Sequence, residues 1–163
     1  MKLLSARRCF AGALVGTLML VQVGAAGAAA LRVHSQLVWG TDGAKPEGQD
    51  LPELDAKLKG KLGHLRWKNY WVVKFEDTDV AGKDAKQGNL AKLGKCTVEL
   101  RELDNGQLEV KLFNVGADKM VKHHVRTVCE PLDKLKNGGT IVIGGDSKDT
   151  WNDAWMVVIT KSP

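Results

Sequence analysis

The chain has 163 residues, with 24 lysines and arginines against 19 aspartates and glutamates and a formal net charge of +5. Residues 1–30 hold three of the basic residues and none of the acidic ones, which leaves 21 basic against 19 acidic residues, a net charge of +2, in the rest of the chain. This near-neutral balance argues against nucleic acid as a partner, because phosphate binding requires a concentrated positive surface.

Residues 1–30 are predicted to be a cleavable export signal. Lys2, Arg7 and Arg8 precede an apolar stretch over 10–23, and small residues follow at 28–30. The stretch is short and contains glycine, so a lone membrane anchor is the less favoured alternative. Adjacent arginines leave both the general and the twin-arginine export routes open. We therefore expect a single β-rich domain over 31–163, periplasmic or secreted, with no membrane span in the mature chain.

A strand and a helix are predicted in the first part of the domain. Apolar and polar side chains alternate over 31–39, which is typical of a strand with one buried face. Asp50 and Glu53 have the spacing of a helix N-cap and its partner, and leucines follow at helical intervals. These residues predict one short amphipathic helix that packs on a sheet.

The segment WKNYWVVKF, residues 67–75, predicts the strand with the largest share of the core. Trp71, Val73 and Phe75 alternate on one face, which is expected to be buried, and Tyr70 lies on the other face. A line of aromatic residues also suggests a platform for sugar binding. Core packing is the favoured interpretation, because alternating aromatic residues in a strand usually face the interior.

Residues 77–95 form a long polar stretch without firm periodicity. We expect this segment to be exposed and mobile, with a short extended piece at 90–93.

A β-hairpin is predicted over 96–115, with its turn at residues 104–106. A two-residue loop at Asn105 and Gly106 would place charged residues opposite apolar residues across the ladder. A three-residue loop with Gly106 in the left-handed conformation gives one apolar face and one face of opposite charges. Both faces therefore select the same register. Its predicted pairs are Val98 with Leu112, Leu100 with Val110, Glu99 with Lys111 and Arg101 with Glu109.

Three further strands are predicted, over 120–129, 140–143 and 155–160, with a crossover between the first two. The last is apolar on both faces, as a central strand covered on both sides would be. The predicted fold class is α+β and β-rich, an antiparallel sheet of about seven strands with one short amphipathic helix packed on it. A partly closed barrel and a β-sandwich are the alternatives.

No metal centre, cofactor or catalytic set is predicted. His123 and His124 are adjacent and would point to opposite faces of a strand, so a zinc site would need one of them together with Cys96, Cys129 or His34. The patterns GxSxG, CxxC and HExxH are absent from the sequence. A metal-dependent enzyme is therefore the least favoured function.

The segment GGDSKDTWND, residues 144–153, is the candidate ligand-binding loop. Carboxylates and an amide beside an aromatic ring are groups that a sugar site uses, and three acidic residues also suit calcium. A solvated turn is the favoured alternative, because Asp and Asn stabilise turns. The candidate residues are Trp151, Asp149, Asn152, Asp153 and Asp146.

Two cysteines, Cys96 and Cys129, follow the export signal, and an oxidising compartment would favour their pairing. The hairpin register places Cys96 beside Asn114, and a third antiparallel strand places Cys129 near Gly106. Eight residues separate these positions on the middle strand. At about 3.3 Å per residue the separation exceeds the roughly 7 Å allowed between the α-carbons of a disulfide. We therefore predict two unpaired thiols, with Cys96 buried.

The words WGTDGAKP, LRWKNYWVVKF, KCTVELRELDNGQLEVKLF, TIVIGGD and NDAWMVVI occur in that order. In these words the chain resembles a group of small exported bacterial proteins of uncharacterised function. The resemblance implies an envelope-associated or secreted domain and brings no site residues with it. We predict a non-catalytic periplasmic or secreted interaction domain whose partner is an unknown envelope protein or polymer. A glycan-binding module that uses the 144–153 loop is the alternative.

Overall fold

A computed structural model describes residues 30–45, 47–65, 67–115, 122–144 and 153–163. These residues form eight strands and two short helices, one strand and one helix more than predicted. In chain order the elements are β1 (Arg32–Thr41), α1 (Ala56–Lys61), β2 (Asn69–Asp79), β3 (Asn89–Lys92), β4 (Cys96–Glu102), β5 (Gln107–Val115), β6 (Lys122–Pro131), α2 (Leu132–Lys136), β7 (Ile141–Gly144) and β8 (Ala154–Lys161). None of the helices in the described ranges is long and apolar enough to cross a membrane.

The strands form two antiparallel four-stranded sheets. The first sheet has the order β2-β1-β8-β7, and the second has the order β3-β4-β5-β6. They face each other, because one core cluster draws buried side chains from both, among them Val33, Leu37 and Ile159 of the first sheet and Val98, Leu100 and Val110 of the second. The β-rich α+β class is confirmed. The single sheet is wrong, and the layers are those of the sandwich alternative.

The division into two sheets occurs just after β2. The N–H of Val80 donates to the carbonyl of Leu31 beside the first sheet, and the N–H of Ala81 donates to the carbonyl of Leu100 in the second. Two consecutive buried residues thus carry the chain from one sheet to the other. The periodicity of a strand does not show which sheet the strand belongs to. The number of predicted strands therefore could not distinguish one sheet from two.

The segment 77–95 is exposed at most of its positions, as predicted, but it is more structured than a loop and contributes to the core. Its first three residues continue β2, and the expected extended piece is the edge strand β3. Ala91 and Leu93 are fully buried in the inter-sheet core, whereas Leu90 and Lys92 are exposed. A four-residue edge strand with one inward side is too short for alternation to stand out from a polar background.

The first helix begins later than predicted. Asp55 is its N-cap, and the carboxylate accepts hydrogen bonds from the N–H groups of Lys57 and Leu58 at 2.9 and 3.3 Å. Asp50 is therefore not the cap. The backbone before the helix hydrogen-bonds along the edge of β2, where Glu53 forms a bridge to Trp71. Pairing with a strand edge prevents those residues from starting a helix.

The second face of the first sheet is covered by the α1 segment. Tyr70 and Val72 of β2 are buried there with Leu54 and Leu62. Tyr70 is 2% exposed, and Phe75 is 57% exposed. The predicted burial is therefore wrong for both aromatic residues. Alternation cannot tell which face of a strand is more buried when both faces are covered.

The hairpin formed by β4 and β5 is confirmed in register. Val98 pairs with Leu112, and Glu99 pairs with Lys111. Gly106 has φ +73°, the left-handed conformation that the three-residue loop requires. Strand β6 returns antiparallel to β5, as predicted.

Two features near the C-terminus complete the sandwich. Strand β8 lies between β1 and β7, and four consecutive residues from Met156 are buried, which confirms a central strand covered on both sides. The predicted crossover after β6 contains the helix α2, whose Leu132 and Leu135 pack into the core. This helix is only five residues long, too short for a periodic pattern to reveal it.

Candidate functional site

Three tryptophans stand side by side across the first sheet. Trp39 of β1 is paired with Trp71 of β2 and with Trp155 of β8. Directly paired residues point to the same face of a sheet. That face looks toward the second sheet, because Trp155 packs against the inter-sheet core. All three residues are partly buried, and we call them the tryptophan row.

Each end of the tryptophan row carries a lysine. The ring centroids of Trp39 and Trp155 are 6.1 Å apart with an interplanar angle of 19°. The Lys95 ammonium lies 5.3 Å from the Trp155 ring, and the Lys45 ammonium lies 5.8 Å from the Trp71 ring. Both distances are within the range of cation–π attraction, which holds a lysine in place without neutralising its charge.

A cleft of about 250 Å³ opens beside Trp155, between the two sheets. Its lining is mostly apolar and includes side chains that belong to the core. The residues that form this inter-sheet cleft are Leu37, Lys95, Cys96, Leu112, Phe113, Asn114, Val125, Ile143, Trp155, Met156 and Val157. A concave apolar site with few polar groups is the common form of a small-molecule site.

The polar side chains of the cleft lie together at one rim. Cys96 is paired with Asn114 across the hairpin, and Lys95 directly precedes Cys96. Lys95 and Asn114 are exposed, whereas Cys96 is half-buried and packs against the inter-sheet core. The prediction that Cys96 is buried is therefore confirmed in part.

The Cys96 thiol is not activated. Burial raises its pKa to about 11. The thiol is protonated at neutral pH, and a protonated thiol is a poor nucleophile and a poor metal ligand. The rim of the cleft therefore offers contacts for a bound molecule rather than a reactive cysteine.

Of the five predicted ligand-binding residues, Asp153 is the one that the structure describes. Asp146, Asp149, Trp151 and Asn152 lie outside the described residues. Asp153 is half-buried just before β8, and it borders a second depression. The other residues around that depression are Trp39, Thr41, Gly43 and Ala44. One Asp153 carboxylate oxygen is buried and has no hydrogen-bond partner among the described residues.

A serine, a histidine and an aspartate also meet at the far end of β1. Nδ1 of His34 lies 2.9 Å from Oδ1 of Asp77, and the Ser162 hydroxyl donates to the same oxygen at 2.7 Å. The bonds from Ser162 and from His34 keep the pKa of Asp77 below its usual value, against a smaller effect of burial. Nucleophilic catalysis requires the hydroxyl to contact the base, and here both groups bond to the acid instead.

The remaining histidines form no metal site in the described part of the chain. Nε2 of His124 lies 2.8 Å from the hydroxyl of Thr127, a local contact within β6. No group of three His, Cys, Asp or Glu side chains among the described residues is close enough to hold an ion.

Sequence reasoning missed the tryptophan row because its members are far apart in the chain. Trp39 lies near the end of β1, whereas Trp71 and Trp155 lie near the starts of β2 and β8. Antiparallel neighbours bring the end of one strand beside the start of the next. The available signal was a tryptophan near the end of one predicted strand and near the start of two others. This signal can be used only when the neighbouring strands are known.

Comparison with protein-family models, with curated proteins and with solved structures gave no match.

Proposed function

We propose that the protein is a non-catalytic, exported binding domain whose partner places an apolar group in the inter-sheet cleft. The observation that carries this proposal is the continuity of the cleft with the core. Leu37, Ile143 and Val157 line the cleft and are at most 6% exposed. An apolar group that enters is removed from water by side chains as apolar as a protein interior.

The chemistry of the rim supports binding rather than catalysis. Cys96 holds its proton at neutral pH, and Lys95 is positioned over an indole ring. Among the described residues, neither group is paired with a base or an acid in the way that an activated nucleophile requires. The predicted export signal over 1–30 supports a location in the periplasm or outside the cell, and the proposed partner is an envelope protein or polymer there.

Filling the cleft tests the proposal. Val125 lines the cleft and is 48% exposed, so Val125→Trp adds bulk at the mouth with little disturbance of the core. Phe75→Trp adds an indole at an exposed site that does not line the cleft, and serves as the matched control. The probe is N-phenyl-1-naphthylamine, an uncharged apolar fluorophore, titrated against each folded protein.

We expect saturable binding of one probe per chain, at least a tenfold loss of affinity in Val125→Trp and no change in Phe75→Trp. Circular dichroism checks that both variants fold. Absence of saturable binding to the native protein, or equal affinities of the two variants, would overturn the proposal.

Glycan binding through the 144–153 loop is the second candidate function. It is favoured by the position of Asp153, which lines the second depression together with Trp39. An indole face and a neighbouring carboxylate suit the apolar face and the hydroxyls of a sugar. We expect Trp151→Ala to abolish binding on a glycan array and Val125→Trp to leave it unchanged. An array that shows no binding, or binding unaffected by Trp151→Ala, removes this candidate.

A further inference from the structure

Within the described residues, the inter-sheet cleft has charge at one end only. Lys95 is the single charged residue among those that line it, and it stands at the same rim as Asn114. The lining residues on the inner side are aliphatic. A molecule that complements this arrangement has an apolar body and one polar end.

The charge of Lys95 is not neutralised within the described residues. Other lysines have carboxylate partners, such as Lys59 with Glu53 at 2.6 Å and Lys134 with Glu130 at 2.9 Å. No described carboxylate lies within ion-pair distance of the Lys95 ammonium, which is held over the Trp155 ring instead. A positioned ammonium without a counter-charge, beside an apolar cleft, favours an anionic head group.

The size of the cleft limits the apolar body. A cavity of about 250 Å³ is smaller than the 300–1,000 Å³ typical of sites for drug-sized ligands. It equals the liquid volume of about eight waters, at roughly 30 Å³ each. A short or medium hydrocarbon chain fits this space.

We infer that the inter-sheet cleft binds a small amphipathic carboxylic acid, with the hydrocarbon chain between the sheets and the carboxylate at Lys95. This inference rests on the proposed function, because it identifies the chemistry of the apolar group that enters the cleft. Asn114 lines the same rim, and an amide is a group that can donate a hydrogen bond to a carboxylate.

The test is calorimetric titration with octanoate and with octanol, which share a chain and differ in the head group. Lys95→Met removes the charge and keeps an apolar side chain over the indole. Lys45→Met removes the matching cation from Trp71, at the other end of the tryptophan row and outside the cleft lining. Hexanoate and decanoate complete the series in chain length.

We expect native protein to prefer octanoate over octanol by about fivefold, the upper end for an exposed ion pair. Lys95→Met abolishes the preference, Lys45→Met retains it, and added salt reduces it. Affinity rises by up to about fourfold for each added methylene until the cleft is full.

The outcomes of these titrations separate this inference from the proposed function. Equal affinities for octanoate and octanol in native protein, or equal effects of the two lysine variants, overturn the carboxylate assignment and leave the apolar site intact. Failure of both octyl ligands while the naphthylamine probe still binds also overturns the inference alone. Failure of the naphthylamine probe as well overturns the proposed function.

Discussion

The two sheets of the sandwich differ in how many of their faces are covered. The β4–β5 hairpin turns Val98 and Leu100 toward the core and carries the pair Arg101 and Glu109 on its other side. The first sheet has the second sheet against one face and the α1 segment against the other. Alternation of apolar and polar residues therefore identifies the buried face in the second sheet and cannot do so in the first.

Strand β1 shows what double coverage does to a sequence pattern. Val33 and Leu37 pack into the inter-sheet core, and Val38 packs on the opposite face with the α1 segment. Gln36 is one of the polar residues in the alternation over 31–39, which predicted one buried face, yet it is only 8% exposed. Polar residues at alternate positions of a central strand are therefore no sign of a solvated face, and the difference between the sheets can be tested by mutation.

The largest expected effect is a difference in stability between substitutions of Tyr70 and Phe75. The sequence predicted that Phe75 is buried and Tyr70 is not, and the structure shows the opposite. We expect Tyr70→Ala to lower the free energy of unfolding by about 4 kcal/mol, because it removes a buried aromatic ring. Phe75→Ala is expected to lower it by less than about 1 kcal/mol, because the ring is mostly exposed and touches His34. Urea unfolding followed by circular dichroism measures both.

A finer variant tests the polar end of the same side chain. The Tyr70 hydroxyl donates to the carbonyl oxygens of Leu65 and Leu62 at 3.2 and 3.4 Å. Tyr70→Phe is expected to lower the free energy of unfolding by about 1 kcal/mol. A larger loss in Phe75→Ala than in Tyr70→Ala would show that the α1 segment does not cover this face of β2.

A smaller, pH-dependent effect is expected on the solvent face of the second sheet. One carboxylate oxygen of Glu109 lies 3.0 Å from both Arg101 and Lys111. Partial burial raises the pKa of Glu109, but the hydrogen bonds and charges of Lys111 and Arg101 outweigh it, so the pKa is below its ordinary value. A lowered pKa means that the ionised carboxylate stabilises the folded state.

We expect Glu109→Gln to lower the free energy of unfolding by about 1 kcal/mol at pH 7. The stabilisation is complete above the unfolded pKa, near 4.3, and is lost as the pH falls through the lower folded value. Native and variant proteins should therefore converge toward pH 3 in urea titrations. Glu102→Gln, on the same hairpin and without an ion pair among the described residues, should differ little from native protein at either pH.

The sequence determined most where two independent local constraints agreed. The hairpin register followed from an apolar face and a charged face that favoured the same pairs, and the central position of β8 followed from its continuous apolar run. The wrong or missing predictions concern residues that are far apart in the sequence and pair in the fold. The backbone before α1 pairs with the edge of β2, so the helix does not begin at Asp50. The tryptophan row exists because β1 lies between β2 and β8. Of the predicted site, Asp153 alone can be placed, and the cleft depends on how the sheets face each other.

The last prediction concerns Cys96 and Cys129. We expect these cysteines to be unpaired, so that a reductant leaves the free energy of unfolding unchanged. Cys96 pairs with Asn114 on β5, and Cys129 pairs with Glu109, five residues along the same strand rather than near Gly106. At about 3.3 Å per residue that offset is about 16 Å, beyond the roughly 7 Å that a disulfide allows between α-carbons. Both thiols are accordingly free in the structure.

The two thiols should react at different rates, because one faces the cleft and the other lies on the outside of β6. Exposed Cys129 is expected to alkylate rapidly in the native, unreduced protein, whereas half-buried Cys96, with its pKa near 11, reacts slowly until the protein unfolds. In protein that lacks residues 1–30, and with them Cys9, mass spectrometry should find two labels after denaturation, and reductant should not alter the free energy of unfolding. If no label is added without reductant, the cysteines are joined, and β6 cannot follow β5 in the register described, because that register keeps the two α-carbons too far apart.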